Sequence, residues 1–175
     1  MLIKILLFLT IYGCYISDFY DINVPDSKGK ELSLRKYKGS KVLIYVADPV
    51  SANEKTLIQL DSLAQRGKKI EILVVPVSET IKNATATWQQ SIDRTAYGKR
   101  LSFTQVIFGK RATKGEQHPL FRWLSFQSEN GHFNTEQIVP GQMFTISPAG
   151  VLYGVIDKNT TIETVAKVLD DDTVK

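Results

Sequence analysis

Asp48, Ser51 and Glu79 are the polar residues of this sequence whose types and placement suit chemistry or ligand binding. Asp48 and Ser51 follow the apolar run 41–47, and Glu79 follows a second apolar run, 70–77. Runs rich in β-branched and aromatic residues are typical of strands buried on both faces. Ligands of open α/β sheets bind where such strands end. We therefore expect these three side chains to lie near one polar cleft, for which the sequence identifies no ligand.

Sulfur and metal chemistry are narrowly restricted. The chain contains one cysteine, Cys14, which excludes an internal disulfide, a CxxC pair and a cysteine-based metal site. The two histidines, His118 and His132, lack the short spacing of zinc ligands. We interpret His118, which precedes Pro119, as a capping or surface residue, and His132 as a loop residue. Neither a metal ion nor a cofactor is expected.

The two apolar runs flank a helical pattern and together predict a strand–helix–strand unit. Apolar residues at helical spacing predict a helix with Leu57, Leu60, Leu63 and Ala64 facing inward. This order of elements implies a right-handed βαβ unit with parallel strands. Asp48 has two open interpretations, either a carboxylate acting in the cleft or, with Pro49, the signal that starts this helix.

The remaining segments complete an α/β pattern. A hairpin is predicted around Asp26–Gly29, a further strand over 101–108, and two strands around the turn Ser147–Gly150. A helix after Pro119 places Leu120, Trp123 and Leu124 on one face, and Trp88 and Trp123 are interpreted as core residues. The closing helix is predicted to turn four residues inward: Ile162, Val165, Val168 and Leu169.

The chain is mildly basic, with a formal net charge of +4 and a pI near 9.1. Six Lys and Arg residues fall between Lys28 and Lys41, with Glu31 among them. No aromatic interleaving or binding motif accompanies them, so we interpret them as a solvated hairpin face. Nucleic acid is not an expected partner.

The first fourteen residues resemble an export signal. Lys4 precedes an apolar run, 5–12, which is too short to span a bilayer and has the length of a signal-peptide core. A buried first strand or helix is the alternative. Ile11-Tyr12-Gly13-Cys14 is similar to a bacterial lipobox, in which the cysteine is lipidated and becomes the first mature residue. The expected organisation is a signal segment over 1–14 and one domain over 15–175.

The location follows from the same segment. We expect export to the bacterial periplasm, either as a lipoprotein anchored to the membrane through Cys14 or, if cleavage is ordinary, as a soluble secreted domain. The glycosylation sequons at Asn83 and Asn159 would matter only in a eukaryotic secretory pathway.

The order of elements looks like a thioredoxin fold: a central mixed sheet with helices on both faces and an N-terminal hairpin. Within that fold the chain most resembles the glutathione peroxidase family. The resemblance extends over about Phe19 to Leu169 and rests on four stretches: FYDINVPDSKGKELSLRKYKGSKVLIYVA, IEILVVPVSE, GKRATKGEQHPLFRWLSFQSENG and FTISPAGVLYGVI.

The resemblance implies that the catalytic side chains of the family are replaced. It matches the peroxidatic cysteine or selenocysteine to Val50, and a serine at Ser51 cannot run the thiolate-to-sulfenate cycle. It matches the supporting glutamine to Glu79. It matches the Trp-Asn pair to Val139 and Pro140 or, with a slip of two residues, to Gly141 and Gln142.

Two functional hypotheses follow. The first is an exported pseudoenzyme of glutathione-peroxidase type that binds an unidentified protein or small molecule, or serves a structural role, at the cell envelope. The second is a peroxidase or other oxidoreductase of the oxidative-stress response that uses a non-thiol group or one supplied by a partner, with Asp48, Ser51 or Glu79 in its cleft. The missing thiol favours the first hypothesis.

Overall fold

The computed structural model describes residues 18–51, 53–66, 69–78, 81–94, 100–109 and 117–171. Segment 1–14, with Cys14, and the site candidate Glu79 lie outside the described residues. The chain order of the strands and α-helices is β1 (Asn23–Pro25), β2 (Glu31–Ser33), β3 (Lys41–Ala47), α1 (Glu54–Ala64), β4 (Ile70–Ser78), α2 (Ile81–Arg94), β5 (Leu101–Phe103), β6 (Ile107–Phe108), α3 (Pro119–Ser125), α4 (Gln127–Asn130), β7 (Met143–Ile146), β8 (Leu152–Ile156) and α5 (Ile162–Asp170).

The central sheet is mixed and has the order β5-β4-β3-β7-β8, with β6 also paired to β4. β3 and β4 are parallel, from the pair Lys41–Ile70 to the pair Ala47–Pro76. β7 runs antiparallel to β3, and β8 runs antiparallel to β7. The predicted parallel βαβ unit is confirmed, and β3 and β4 end at the same edge of the sheet.

Alternating side chains of β3 divide the core into two clusters. Val42, Ile44 and Val46 pack on one face, with residues of α3 and of a 3-10 helix at Phe19–Asp21. Leu43, Tyr45 and Ala47 pack on the opposite face, against α1, α2 and α5. Both faces of the sheet are therefore covered, as the apolar run predicted. The predicted thioredoxin-like fold is confirmed.

The N-terminal hairpin is also confirmed. β1 and β2 pair antiparallel, and Gly29 has the positive φ of 81° that the turn between them requires. The segment that follows forms a second 3-10 helix, Leu34–Tyr37, before entering β3. Across the described ranges, no helix has both the length and the hydropathy needed to span a bilayer.

Helix α1 begins later than the Asp48-Pro49 pair predicted. Its first residue is Glu54, and its N-cap is Asn53, whose side chain accepts a hydrogen bond from the Thr56 N–H at 3.1 Å. The interpretation of Asp48-Pro49 as the helix start is therefore wrong. The carboxylate of Asp48 closes a separate turn over the next three residues, and the helix needs its own cap further along the chain.

Two smaller predictions also differ from the structure. The single strand predicted over 101–108 is divided into β5 and β6, which pair with different parts of β4. In α5, Ala166 is buried and Val168 is only half-buried. The inward stripe of that helix is Ile162, Val165, Ala166 and Leu169, because a step of about 100° per residue places Val168 at its margin.

Candidate functional site

An open cleft of about 590 Å³ lies where β3 and β4 end. The structure brings four of the predicted site residues to it: Asp48, Val50, Val139 and Pro140. Ser51 is exposed and does not line the cleft, and Glu79 lies outside the described residues, although its neighbour Ser78 does line the cleft. Sequence reasoning missed the other lining residues: Pro49, Val77, Ser78, Gly109, Glu136, Gln137 and Ile138.

One wall of the cleft is the turn after β3. The Asp48 Oδ1 accepts hydrogen bonds from the backbone N–H groups of Val50, at 2.8 Å, and Ser51, at 3.4 Å. The turn holds the Val50 side chain outward, with 70% of its surface exposed. The side chain at the position matched to the family nucleophile is therefore accessible from the cleft but carries no reactive atom.

The facing wall is a turn that leads into β7. Gly141 N–H donates to the Val46 carbonyl at 2.7 Å, and Val46 N–H donates to the Gln142 carbonyl at 2.9 Å. The side chain of Gln142 accepts from the Val139 N–H at 3.3 Å, and Gly141 has a φ of 91°. These contacts attach the wall to the last residues of β3. Val139 and Pro140 therefore face the cleft.

The cleft is partly apolar, and the charged groups among its described lining residues are both carboxylates, Asp48 and Glu136. Within the described part of the chain, neither carboxylate forms an ion pair, and the second oxygen of Asp48 accepts no hydrogen bond. Among the same residues, no group of three His, Cys, Asp or Glu side chains is arranged to hold a metal ion. The arrangement suits binding of an apolar ligand that carries a donor or a cation.

Gly109 is a lining residue of the cleft that the sequence did not predict. A β-carbon at this position would overlap the Val77 side chain of β4. Glycine therefore lets the segment after β6 pack directly on the end of β4 and form the floor of the cleft. The sequence signal was a glycine directly after an apolar pair, which also fits an ordinary loop.

A second, polar groove of about 480 Å³ lies on the other side of the Gly141 turn, between the N-termini of α1 and α5. Tyr45 lines it and is buried. Burial raises the pKa of the Tyr45 hydroxyl; a hydrogen bond with Thr56 opposes this shift, and the nearby Asp48 carboxylate adds to it. The Tyr45 hydroxyl therefore stays protonated at neutral pH and is not a nucleophile.

The histidines and tryptophans lie outside the cleft lining. His118 is the N-cap of α3, and its Nδ1 accepts from the Leu120 N–H at 3.2 Å, so its predicted capping role is confirmed. Exposed His132 lies in the loop after α4, as predicted. Trp88 and Trp123 are buried core residues, as predicted, and Trp88 Nε1 donates to the Thr104 carbonyl at 2.8 Å.

Two curated proteins resemble this chain in sequence. Glutathione peroxidase 1 of Caenorhabditis elegans is 30% identical over 128 residues, which cover 70% of this chain and 76% of the worm protein. A protein named "Probable glutathione peroxidase 8", from Tetraodon nigroviridis, is 28% identical over 116 residues, covering 62% of this chain and 53% of the fish protein. No protein-family model matches the sequence.

Solved structures show the same fold at lower identity. Trgpx in its apo form superposes with a TM-score of 0.64 at 19% identity, covering 87% of this chain and 93% of that chain. GPX1 of T. cruzi gives 0.62 at 18% identity, covering 87% and 94%. The exposed lipoprotein thioredoxin Etrx1 of Streptococcus pneumoniae gives 0.57 at 17% identity, covering 86% and 98%.

The family follows from the 30% identity to the worm protein and from the length of chain over which that identity extends. The match to the worm protein covers about three quarters of that protein, and the peroxidase structures share the mixed sheet with helices on both faces. The chain belongs to the glutathione peroxidase family.

Proposed function

We propose that this chain is an exported, glutathione-peroxidase-like domain without peroxidase activity, which binds a ligand or a partner protein at the cell envelope. One observation supports it above the others. The position matched to the family nucleophile is a valine, Val50, whose side chain stands 70% exposed at an open cleft of about 590 Å³. The cleft offers a binding surface but no sulfur at this position.

Peroxide reduction in this family needs a thiolate or selenolate that is oxidised and then reduced again. The hydroxyl of Ser78 and the carboxylates of Asp48 and Glu136 cannot pass through that cycle. The one cysteine of the chain is Cys14, in the apolar N-terminal segment. The lining residues of the cleft therefore support ligand binding, and not peroxide reduction, as its role.

The sequence of segment 1–14 supports the envelope location. Its apolar run and the lipobox-like Ile11-Tyr12-Gly13-Cys14 are typical of an exported bacterial lipoprotein. The pneumococcal Etrx1, which has the same fold, is itself called an exposed lipoprotein. By analogy, a domain of this fold can function outside the cytoplasm on a lipid anchor.

A coupled peroxidase assay tests the missing activity. The full chain, purified free of host peroxidases, is assayed with hydrogen peroxide and an organic hydroperoxide, with glutathione or thioredoxin as reductant. We expect turnover to stay below about a tenth of the ~10 s⁻¹ that is typical of enzymes. Cys14→Ala is the matched control, because it removes the chain's one thiol. Turnover above that limit would refute the proposed loss of peroxidase activity.

The second candidate is an oxidoreductase that borrows a reactive group from a partner. The open cleft favours it, since a partner residue could enter beside the Asp48 carboxylate, which has no ion-pair partner among the described residues. Affinity purification of the full chain from intact envelopes would identify such a partner. Peroxide turnover by the purified mixture, absent from either protein alone, would favour this candidate over pure binding.

A further inference from the structure

Charged side chains are distributed unevenly between the two ends of strand β3. The cleft lies at the end of β3, whereas its first residue, Lys41, lies at the opposite edge of the sheet. Several exposed cations cluster at this opposite edge. We call this cluster the basic end, and its exposed members are Lys36, Lys38, Arg66 and Lys69.

Backbone contacts bring these cations together. Lys41 N–H donates to the Lys69 carbonyl at 2.9 Å, which places the starts of β3 and β4 side by side. Lys36 lies in the 3-10 helix Leu34–Tyr37, which precedes β3, and Lys38 directly follows that helix. Arg66 follows the last turn of α1, a helix that returns to the start of β4. All four residues therefore belong to one edge of the molecule.

The exposed members of the basic end lack carboxylate partners among the described residues. The nearby cations Arg35 and Lys41 are occupied, since Arg35 pairs with Asp21 and the Lys41 ammonium donates to the carbonyls of Leu169 and Asp171. Three further carboxylates lie at this edge: exposed Asp18, the N-cap of the 3-10 helix Phe19–Asp21, and Asp170 and Asp171 at the end of α5. Lys36 and Lys38 lie beside the 3-10 helices without an ion-pair partner among the described residues.

The opposite end of the molecule has the reverse character. Its described carboxylates outnumber its described cations, which are Lys55 and Lys158; the carboxylates are Asp48, Glu54, Glu136, Asp157 and Glu163. A molecule with this polarity orients in the field of a charged surface, and its basic end turns toward negative charge.

The first described residue lies at the basic end. The Tyr20 hydroxyl donates to the Pro148 carbonyl at 2.9 Å, and Gly39 N–H donates to the same carbonyl at 3.2 Å. The Lys38 ammonium lies 6.0 Å from the centre of the Tyr20 ring. The 3-10 helix at Phe19–Asp21 is thus fixed beside Lys38. Any segment that leads from a membrane into Asp18 delivers the chain to this edge.

We propose that the basic end docks on the surface of an anionic lipid bilayer. This inference rests on the envelope location in the proposed function and adds the face that contacts the membrane. Lysine and arginine residues near an anionic surface each strengthen binding by about fivefold, and salt screens the attraction.

Vesicle flotation tests the proposal on the full chain carrying Cys14→Ala, so that no acyl chain contributes. The probes are vesicles of phosphatidylcholine alone and vesicles that also contain phosphatidylglycerol, at low and at high salt. The readout is the ratio of the two dissociation constants, because any apolar contribution of segment 1–13 is common to both vesicle types. We expect tighter binding to the anionic vesicles at low salt and loss of that preference at high salt.

Two pairs of substitutions remove the same charge from opposite ends. K36Q/K38Q should weaken binding to anionic vesicles by about tenfold or more, whereas K55Q/K158Q should change it by less than about twofold. K36R/K38R keeps the charge and should bind as the parent chain does. Circular dichroism and thermal unfolding confirm that each variant is folded.

The outcomes separate this inference from the proposed function. Equal effects of K36Q/K38Q and K55Q/K158Q, or no preference for anionic vesicles, would overturn the docking proposal. Such a result would leave the absence of peroxidase activity and the anchoring at Cys14 untouched, because neither enters the measurement. Peroxide turnover by the chain would conversely refute the proposed function without changing the vesicle result.

Discussion

At the scale of single residues, the turn that follows β3 decides what a nucleophile at position 50 would experience. The Asp48 carboxylate accepts the Val50 N–H at 2.8 Å, so a negative charge lies within two residues of this position. Helix α1 begins only at Glu54 and has its own cap, Asn53. The positive helix end is therefore displaced from position 50, and the nearest fixed charge there is negative.

A cysteine introduced at Val50 should consequently be a poor nucleophile. In a Cys14→Ala background, Val50→Cys should have a thiol pKa at or above the ~8.5 of a free cysteine, because a nearby carboxylate disfavours the thiolate. Adding Asp48→Asn should lower that pKa and raise the thiolate fraction at neutral pH. The measurement is the rate of alkylation by iodoacetamide as a function of pH.

Glu163→Gln supplies the matched control for that experiment. It removes one negative charge from α5, outside the cleft, and should leave the thiol pKa of the Val50→Cys variant unchanged. A thiol that titrates clearly below ~8.5 with Asp48 intact would show that the helix end still acts on position 50. In that case the Asp48 turn would not control the thiol pKa.

At the scale of elements, the N-terminus of α1 is the feature that separates the two interpretations of Asp48. Asn53→Ala should lower the free energy of unfolding by about 1 kcal/mol, since it leaves the Thr56 N–H without its side-chain acceptor. Asn53→Asp keeps an acceptor and should be nearly neutral. Urea unfolding at constant pH measures both.

Asp48→Ala completes the comparison in the same urea experiment. The backbone N–H groups that donate to the Asp48 carboxylate are exposed to water. This substitution should therefore lower the free energy of unfolding by no more than about 0.5 kcal/mol. A larger cost for Asp48→Ala than for Asn53→Ala would mean that Asp48, and not Asn53, starts the helix.

The N-cap of α3 predicts a pH dependence of stability. Burial lowers the pKa of His118, and its neutral Nδ1 accepts from the Leu120 N–H. Because the folded pKa lies below the ~6.5 of an unfolded histidine, the neutral cap contributes fully above that pH and is lost as pH falls through the folded pKa. Between pH about 7 and about 5, the free energy of unfolding should therefore fall.

His118→Asn isolates the contribution of this cap to the pH dependence. Asparagine caps helices without titrating in this range, so the variant should lose less stability on acidification than the wild-type chain. Equal slopes for the wild type and for His118→Asn in urea titrations would rule out the cap as the source.

The elements that the sequence predicted well are those with strong periodic patterns. The runs that became β3 and β4, and the stripe of Leu57, Leu60 and Leu63 in α1, identify their own buried faces because burial dictates their composition. The division of 101–108 into β5 and β6 was missed, since short strands carry too few residues for a pattern. The start of α1 was missed because Asp and Asn suit both turns and caps.

The cleft was predictable only in part, for a similar reason. Asp48 follows a strand that the sequence identifies, so its position at the edge was expected. Glu136 and Ile138 come from a loop without periodicity, and tertiary contacts bring that loop to the cleft, among them the hydrogen bonds between the Gly141 turn and Val46. Val139 and Pro140 were expected there only through the family resemblance.

At the scale of the whole molecule, we predict that Cys14 carries lipid and is the first mature residue. Metabolic labelling with a fatty acid should mark the wild-type chain and should disappear in Cys14→Ala, which lacks the thiol that is acylated. Detergent phase partitioning should move the variant into the aqueous phase if it is still cleaved. A native chain found soluble, with Tyr15 or a later residue at its N-terminus, would contradict the anchor.

The direction in which β3 runs limits how close the cleft of a chain anchored at Cys14 can come to the membrane. Cys14 and Asp18 are four residues apart, so the connecting segment between them measures at most about 14 Å. Strand β3 has seven residues and runs from the basic end to the cleft, so its length alone separates the two by roughly 20 Å. This connecting segment is shorter than the strand, so a chain anchored at Cys14, as proposed, cannot turn over completely to rest its cleft end on the lipid. When the basic end rests on the membrane, as also proposed, the cleft opens toward the aqueous phase, away from peroxides that diffuse within the bilayer.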